Sequence, residues 1–112
     1  MAALTVVSLP IDGGVSLTDS LVAAAGGGDT APCGPGRFLV VANGDASPHT
    51  ATVATPGNVS GLDVEDCALV VPAGKTGIMP LARAIFAGAN GRATVTYNGV
   101  TSVKVGVFEV PQ

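Results

Sequence analysis

Short runs rich in valine and threonine, each followed by Gly, Pro or Asn, are the feature that most limits what this chain can fold into. Branching at Cβ favours extended chain, and Gly, Pro and Asn supply the backbone conformations of turns. Strands at such short spacing, with no alternating helices, predict an all-β fold, an antiparallel β-sandwich or a small barrel. The predicted strands are 5–9, 37–42, 50–55, 67–71, 76–79, 92–97 and 101–110.

Turn signals between these runs predict two hairpins. Asn-Gly-Asp follows the buried run 37–42, and we expect it to fold that strand back onto 50–55. Asn-Gly also lies between 92–97 and 101–110. A one-residue slip moves every side chain to the other face, so we expect a three-residue loop there, or a bulge with the same effect, which pairs Val95 with Val103 and Ala93 with Val105.

The first third of the chain is rich in glycine and poor in strand patterns. We therefore expect residues 1–36 to form an extended N-terminal arm and 37–112 to form the β-sandwich body, as a single domain overall. A weak helical pattern over 17–25 ends in three glycines and contains small residues, so it predicts one helical turn at most.

The charged fraction restricts the classes of function. Charged residues make up 12% of the chain and the net charge is -3, whereas a typical soluble domain has about 25% charged residues. With little charge to keep a monomer soluble, part of the surface is expected to be covered by protein. The basic residues are scattered, which argues against nucleic acid as a partner. We find no membrane-length apolar run and no signal peptide, so we expect synthesis in the cytoplasm.

The stretch Gly74-Lys75-Thr76 looks like the end of a phosphate-binding loop. The complete motif needs a glycine at the position of Leu69, and Pro72 lacks one of the N–H groups that would hold phosphate. A helix should follow, and the sequence after it is not helical. We interpret the stretch as a turn between two strands with Lys75 in solvent.

No other motif predicts catalysis, a metal or a cofactor. His49 lies in a turn without the partners of a catalytic triad, and the acidic cluster at 63–66 offers too few oxygen ligands for calcium. Cys33 and Cys67 match no paired metal or redox pattern and are expected to be buried or half-buried thiols. The chain is therefore predicted to have no catalytic, cofactor or metal site.

One apolar stretch is a candidate contact surface. Residues 78–91 lie between predicted strands, where polar residues are expected, yet they contain several large apolar side chains. The stretch either covers an open end of the sandwich or contacts a sister subunit or a partner. The candidate interface residues are Ile78, Met79, Leu81, Ile85 and Phe86.

Three segments resemble one group of proteins. These segments are GDTAPCGPGRFLVVANGD at 28–45, TVATPGNVSGLDVEDCALVVPAGKTGIMPL at 52–81 and GRATVTYNGVTSVKVGVFEV at 91–110. They resemble small proteins of tailed bacteriophages, especially those of actinobacteria, encoded close to the major capsid protein. The resemblance implies a capsid decoration, or cement, protein with a β-sandwich body, located on the outer capsid surface of the virion.

A decoration protein needs no active site. Its expected partners are the major capsid protein and further copies of itself, with a trimer favoured. Two alternatives stay open: a tail or connector subunit, and a domain that binds the host surface. The chain has no Trp, one Tyr and three Phe, which argues against a sugar-binding surface because such sites usually stack on aromatic rings.

Overall fold

The computed structural model describes residues 2–34, 36–54, 58–59, 62–63, 66–81 and 91–110. In these residues the chain forms short strands and one turn of 3-10 helix, Thr18–Ser20. The strands are β1 Ala2–Ala3, β2 Val6–Ser8, β3 Val22–Ala23, β4 Asp29–Pro32, β5 Arg37–Asn43, β6 His49–Val53, β7 Asn58–Val59, β8 Leu62–Asp63, β9 Cys67–Val71, β10 Thr76–Pro80, β11 Arg92–Tyr97 and β12 Val103–Glu109.

Two sheets pack face to face, as predicted for a β-sandwich. Sheet 1 has the order β1-β4-β11-β6-β9, and sheet 2 has the order β10-β5-β12-β2, with β3 also pairing with β12. Most pairs are antiparallel, while β1 with β4 and β2 with β12 are parallel. A separate small ribbon pairs β7 with β8. The predicted all-β fold is therefore confirmed.

Both predicted hairpins are wrong. β5 and β6 lie in opposite sheets, and so do β11 and β12. Val95 pairs with Val53 and Asp29 rather than with β12. A connection such as 44–48 can reach about 17 Å when extended, which is enough to cross the ~10 Å between packed sheets. Crossing brings the two apolar faces into contact, whereas a hairpin would only set them side by side.

The antiparallel pairs within the two sheets join strands that are far apart in the chain rather than consecutive strands. β6 pairs with β9, β5 pairs with β10, and β4 pairs with β11, all antiparallel. These pairs form one long two-stranded ribbon, with β4–β6 as one arm and β9–β11 as the other. Each arm passes from one sheet to the other between successive pairs, as in a jelly roll. The arrangement makes β5 and β11 internal strands, so the apolar run of β5 lies in the middle of sheet 2.

The structure confirms which side chains of β11 and β12 share an apolar face, although the predicted pairing of these two strands is wrong. Ala93 and Val95 of β11 are fully buried, and so are Val105 and Val107 of β12. Each set faces the space between the sheets, where it forms one core with the inward residues of β5, β6 and β9. The alternation therefore identified which face is inside, although it did not identify the neighbouring strand.

β5 is buried on its outer face as well. Val40 is 1% exposed and Phe108, on the neighbouring strand, is 0% exposed, and the rings of Phe38 and Phe108 lie 5.9 Å apart. Leu21 covers part of this face: a Cβ on Gly106 would lie 2.9 Å from its Cδ2 atom. Gly106 thus provides the space into which a side chain from the N-terminal region packs.

The segment predicted to be an arm is divided in the structure. β1 joins the edge of sheet 1 and β2 joins the edge of sheet 2, so residues 2–8 close one side of the sandwich, with Leu4 buried between the sheets. β4 also belongs to sheet 1. Residues 10–21 pair with neither sheet, and they contain the single predicted helical turn. The extended arm over 1–36 stays a prediction, and we call residues 10–21 the N-terminal loop.

One buried amide joins the loops at one end of the sandwich. Asn43 Nδ2 donates to the carbonyl oxygens of Ser47 at 2.9 Å and Val71 at 3.1 Å, and its Oδ1 accepts from the N–H of Asp45 at 2.9 Å. The backbone N–H of Asn43 donates to the Lys75 carbonyl. The connections leaving β5 and β9 are thereby held to each other through one side chain.

We expect Asn43→Ala to lower the free energy of unfolding by about 2–3 kcal/mol, because it leaves buried carbonyls without their donor. Urea denaturation monitored by circular dichroism measures this. Asn98→Ala is the matched control, since Asn98 is exposed and its Oδ1 accepts a single hydrogen bond, from the Thr50 N–H; we expect it to cost less than about 1 kcal/mol. Equal effects of the two variants would show that the Asn43 amide is not a structural joint.

Candidate functional site

The structure separates the predicted interface residues. Ile78 is 62% exposed on the outer side of β10, whereas Leu81 is 0% exposed and Met79 packs against the core. Side chains along β10 therefore alternate between solvent and the core. The pairing with β5 continues one residue further, where the Leu81 N–H donates to the Arg37 carbonyl. Met79 and Leu81 therefore stabilise the monomer. Ile85 and Phe86 lie outside the described residues, so the contact surface stays a prediction centred on Ile78.

We expect Ile78→Asp to change the free energy of unfolding by less than about 1 kcal/mol, because the side chain is already in solvent. Leu81→Ala should lower it by about 2–5 kcal/mol through the cavity it leaves in the core. Thermal and urea unfolding of both purified variants test this. A severely unstable Ile78→Asp would mean that Ile78 packs within the monomer and does not belong to a contact surface.

The N-terminal loop carries exposed apolar side chains that the sequence analysis did not select. Ile11 is 91% exposed and Leu17 is 44% exposed. Gly13 and Gly14 have positive φ angles, so the chain turns sharply next to Ile11. The only signal in the sequence is that large aliphatic residues stand alone among Gly, Ser and Asp. Each of these two side chains is thus exposed to solvent in the described part of the chain.

Among the described residues, the outer side of sheet 1 carries mainly threonine and small uncharged side chains. Thr52 lies opposite Thr96, and Thr94 lies opposite Thr30, so their side chains form rows across three strands. At one border, the guanidinium of Arg92 donates to the hydroxyl and the carbonyl of Thr30. We call this surface the threonine face; its residues are Thr30, Thr50, Thr52, Ala68, Val70, Thr94 and Thr96.

The Gly-Lys-Thr stretch is a strand-to-strand turn, as predicted. The Lys75 N–H donates to the Pro72 carbonyl at 3.1 Å, and Gly74 has a φ of 73°. Lys75 is exposed, and β10 follows directly. The Lys75 N–H is therefore used within the turn that joins β9 to β10.

His49 pairs with one carboxylate and fixes a turn. Its Nε2 lies 2.8 Å from Asp45 Oδ2, and its ring packs against Gly99, where a Cβ would lie 2.8 Å from Cε1. The hydrogen bond from His49 lowers the pKa of Asp45, and a second bond from the Ala46 N–H lowers it further. His49 thus holds the connection after β5 against the connection after β11.

The lowered pKa of Asp45 predicts acid sensitivity. A depressed folded-state pKa contributes stability that is complete above the ordinary value of 3.8 and is lost as the pH falls through the folded value. We expect the unfolding free energy of the wild type to fall more steeply below about pH 4 than that of Asp45→Asn. Urea titrations at several pH values measure this, with Asp19→Asn at an exposed carboxylate as the control. Parallel curves for wild type and Asp45→Asn would contradict it.

The remaining candidates for chemistry do not converge. Cys33 is a buried thiol and Cys67 a half-buried one, as predicted. Among the described residues, no group of three His, Cys, Asp or Glu side chains could hold a metal ion. The side chains of 63 and 65 lie outside the described residues. No helix in the described ranges has the length and apolarity to cross a membrane.

A buried carboxylate, Asp29, is the most unusual polar group in the interior. It is 0% exposed, and its Oδ2 accepts from the Tyr97 hydroxyl at 2.6 Å and from the Ala25 N–H at 3.3 Å. Burial, and then this hydrogen bond to Asp29, raises the pKa of Tyr97. Asp29 is not among the residues expected from the sequence to be functional, although alternation with buried Ala31 along β4 indicates an inward side chain.

Comparison with known proteins identifies no relative: no family model, no curated protein and no solved structure matches the chain.

Proposed function

We propose that this chain is a non-enzymatic structural protein of a bacteriophage virion that binds the outside of the capsid shell and stabilises it. The resemblance of segments 28–45, 52–81 and 91–110 to phage decoration proteins supports the phage context. The all-β sandwich agrees with the body that this resemblance implies. The partners are the major capsid protein and further copies of the chain, with a trimer favoured.

The observation that carries the proposal is a pair of separate surfaces, the threonine face with its uncharged side chains and the N-terminal loop with its exposed Ile11. The threonine face lies outside sheet 1, whereas the N-terminal loop returns across the outer face of sheet 2, where Leu21 packs on Gly106. A decoration protein needs one surface for its own oligomer and another for the shell. We assign the threonine face to sister subunits and the N-terminal loop to the shell.

The energetics suit attachment without an active site. Burial of apolar surface is worth roughly 25 cal/mol per Å², so about 800 Å² of largely apolar contact gives a gross gain on the order of 10–20 kcal/mol before the costs of association. An oligomer that presents several loops to one shell gains further affinity, because each later contact is intramolecular. Hydrogen-bonding threonines with restricted rotamers can pair across a flat interface at low entropic cost.

The direct test is co-sedimentation of the purified protein with expanded, undecorated phage heads, with bound copies counted relative to the major capsid protein. We expect saturable binding at a fixed ratio, and analytical ultracentrifugation of the unbound protein should show a trimer. A few copies per head would instead favour a tail or connector subunit. No binding at all would refute the decoration role.

Variants in the N-terminal loop locate the shell contact. Burying one isoleucine side chain is worth about 1.5–3 kcal/mol, so we expect Ile11→Asp to weaken head binding by about ten- to a hundredfold. Its 91% exposure means that the fold should be unaffected. Ile11→Ser removes the apolar contact without adding charge, and Ser16→Asp adds the same charge to the same loop. If Ser16→Asp weakens binding as much as Ile11→Asp, charge repulsion rather than apolar contact explains the loss.

A further inference from the structure

A cavity of about 270 Å³ opens at the edge of the sandwich that the N-terminal segment closes. Its origin lies in the pairing of β12. β3 pairs with this strand at Lys104 and Val105, and β2 pairs with it from Val107 onward. The two short strands do not meet, and Gly106 lies at the gap between them. Leu21 and Phe108 occupy the space that a side chain on Gly106 would take, so the cavity arises from the gap between β3 and β2 rather than from the missing side chain.

The walls of the cavity are mainly apolar. Val7 and Val22 line it from the two short strands, and Leu4 and Val105 line it from the interior. Val22 pairs directly with Val105, so both side chains lie on the same side of sheet 2. Val105 is 0% exposed and Val22 is 53% exposed. An inward-facing valine is thus left half in solvent because the space in front of it is open.

A carboxylate with an unused oxygen borders this space. Asp29 lines the cavity and is 0% exposed, and in the described part of the chain its Oδ1 has no hydrogen-bond partner. A buried carboxylate oxygen without a donor is costly, and in most proteins each such group is satisfied by protein, water or ligand. Its other oxygen is already used by Tyr97, so Oδ1 is the carboxylate oxygen without a donor, and because Asp29 is 0% exposed a ligand entering from the edge must displace neighbouring atoms to reach it.

The shape and the single acceptor select the ligand. A guanidinium prefers to bind both oxygens of a carboxylate, which Tyr97 prevents, whereas an ammonium acts as a compact point charge. The valine walls match an alkyl stem, and the volume is smaller than that of most drug-sized pockets, which begin at about 300 Å³. We propose that this cavity binds an alkylammonium group, with the charged head at Asp29 Oδ1 and the stem against Val22 and Val105.

Two sources carry this chemistry: a small free amine and the lysine side chain of a partner protein. The site does not depend on the capsid role, because it is built entirely within one chain. A lysine would enter with its stem along the wall and its backbone outside the cavity, on the side of the exposed Val22. A free amine could occupy the same position without any protein contact at the mouth.

The test is a titration of the ¹⁵N-labelled full chain with n-butylammonium chloride, followed by two-dimensional NMR. We expect saturable shifts of the amides of Ala23, Val105 and Gly106 in the millimolar range, with n-butanol binding at least about tenfold more weakly because it lacks the charge. Sodium chloride at equal ionic strength is the salt control. Nα-acetyl-lysine methylamide separates the sources: binding similar to that of n-butylammonium supports a lysine side chain, and exclusion supports a free amine.

Variants test the assigned atoms. Asp29→Asn should weaken n-butylammonium binding by at least about tenfold, whereas Asp19→Asn, at an exposed carboxylate nearby in sequence, should leave it unchanged. If Asp29→Asn does not fold, Val22→Trp provides a second route, because it fills the mouth and keeps the carboxylate. The proposal is overturned if the wild type shows no saturable shifts, if n-butanol binds equally well, if binding survives both changes, or if the ¹³C shift of the Asp29 carboxyl shows it protonated at neutral pH.

Discussion

The burial of β5 on both of its faces is the constraint on which the rest of the fold depends. Leu39 and Val41 require sheet 1 on one side, while Phe38 and Val40 require a cover on the other side. A two-layer sandwich normally leaves the outer face of each sheet to solvent. Here the chain returns across sheet 2, and Leu21 packs where Gly106 leaves room. A strand apolar on both faces therefore determines the path of residues far from it in sequence.

Local chemistry explains how much of this was predictable from the sequence. The bounds of β9 and β11 agree with the prediction residue for residue, because β-branched runs between turn residues specify extended chain directly. Pairing was not predictable in the same way. The Asn-Gly pair at the end of β5 indicates a reversal of chain direction. It does not determine whether the next strand lies beside β5 or across the core. That choice depends on the other apolar faces to be covered, which only the whole chain determines.

The candidate sites differ in predictability for a related reason. Ile78, Met79 and Leu81 were predicted together as a contact surface because large apolar residues between strands often contact a partner. In the structure they alternate along β10 and the residue that follows it, so Leu81 is buried and Met79 packs against the core. Asp29 escaped notice because an acidic residue after glycines is usually taken for a turn. Its burial follows from pairing with β11, which brings Tyr97 within hydrogen-bonding distance. Such a partnership across 68 residues leaves no local pattern.

The N-terminal segment links the cavity to the proposed shell contact. Residues 2–8 close the edge of the sandwich, and Val22 of β3 lines the cavity. The N-terminal loop lies between these two strand segments and exposes Ile11 to solvent. The loop is therefore held at both ends and is not a free tail. Fixing its ends lowers the conformational entropy that binding must remove. A group bound at Asp29 would contact the strand that follows the loop, so occupancy of the cavity and the position of the loop act on the same short piece of chain.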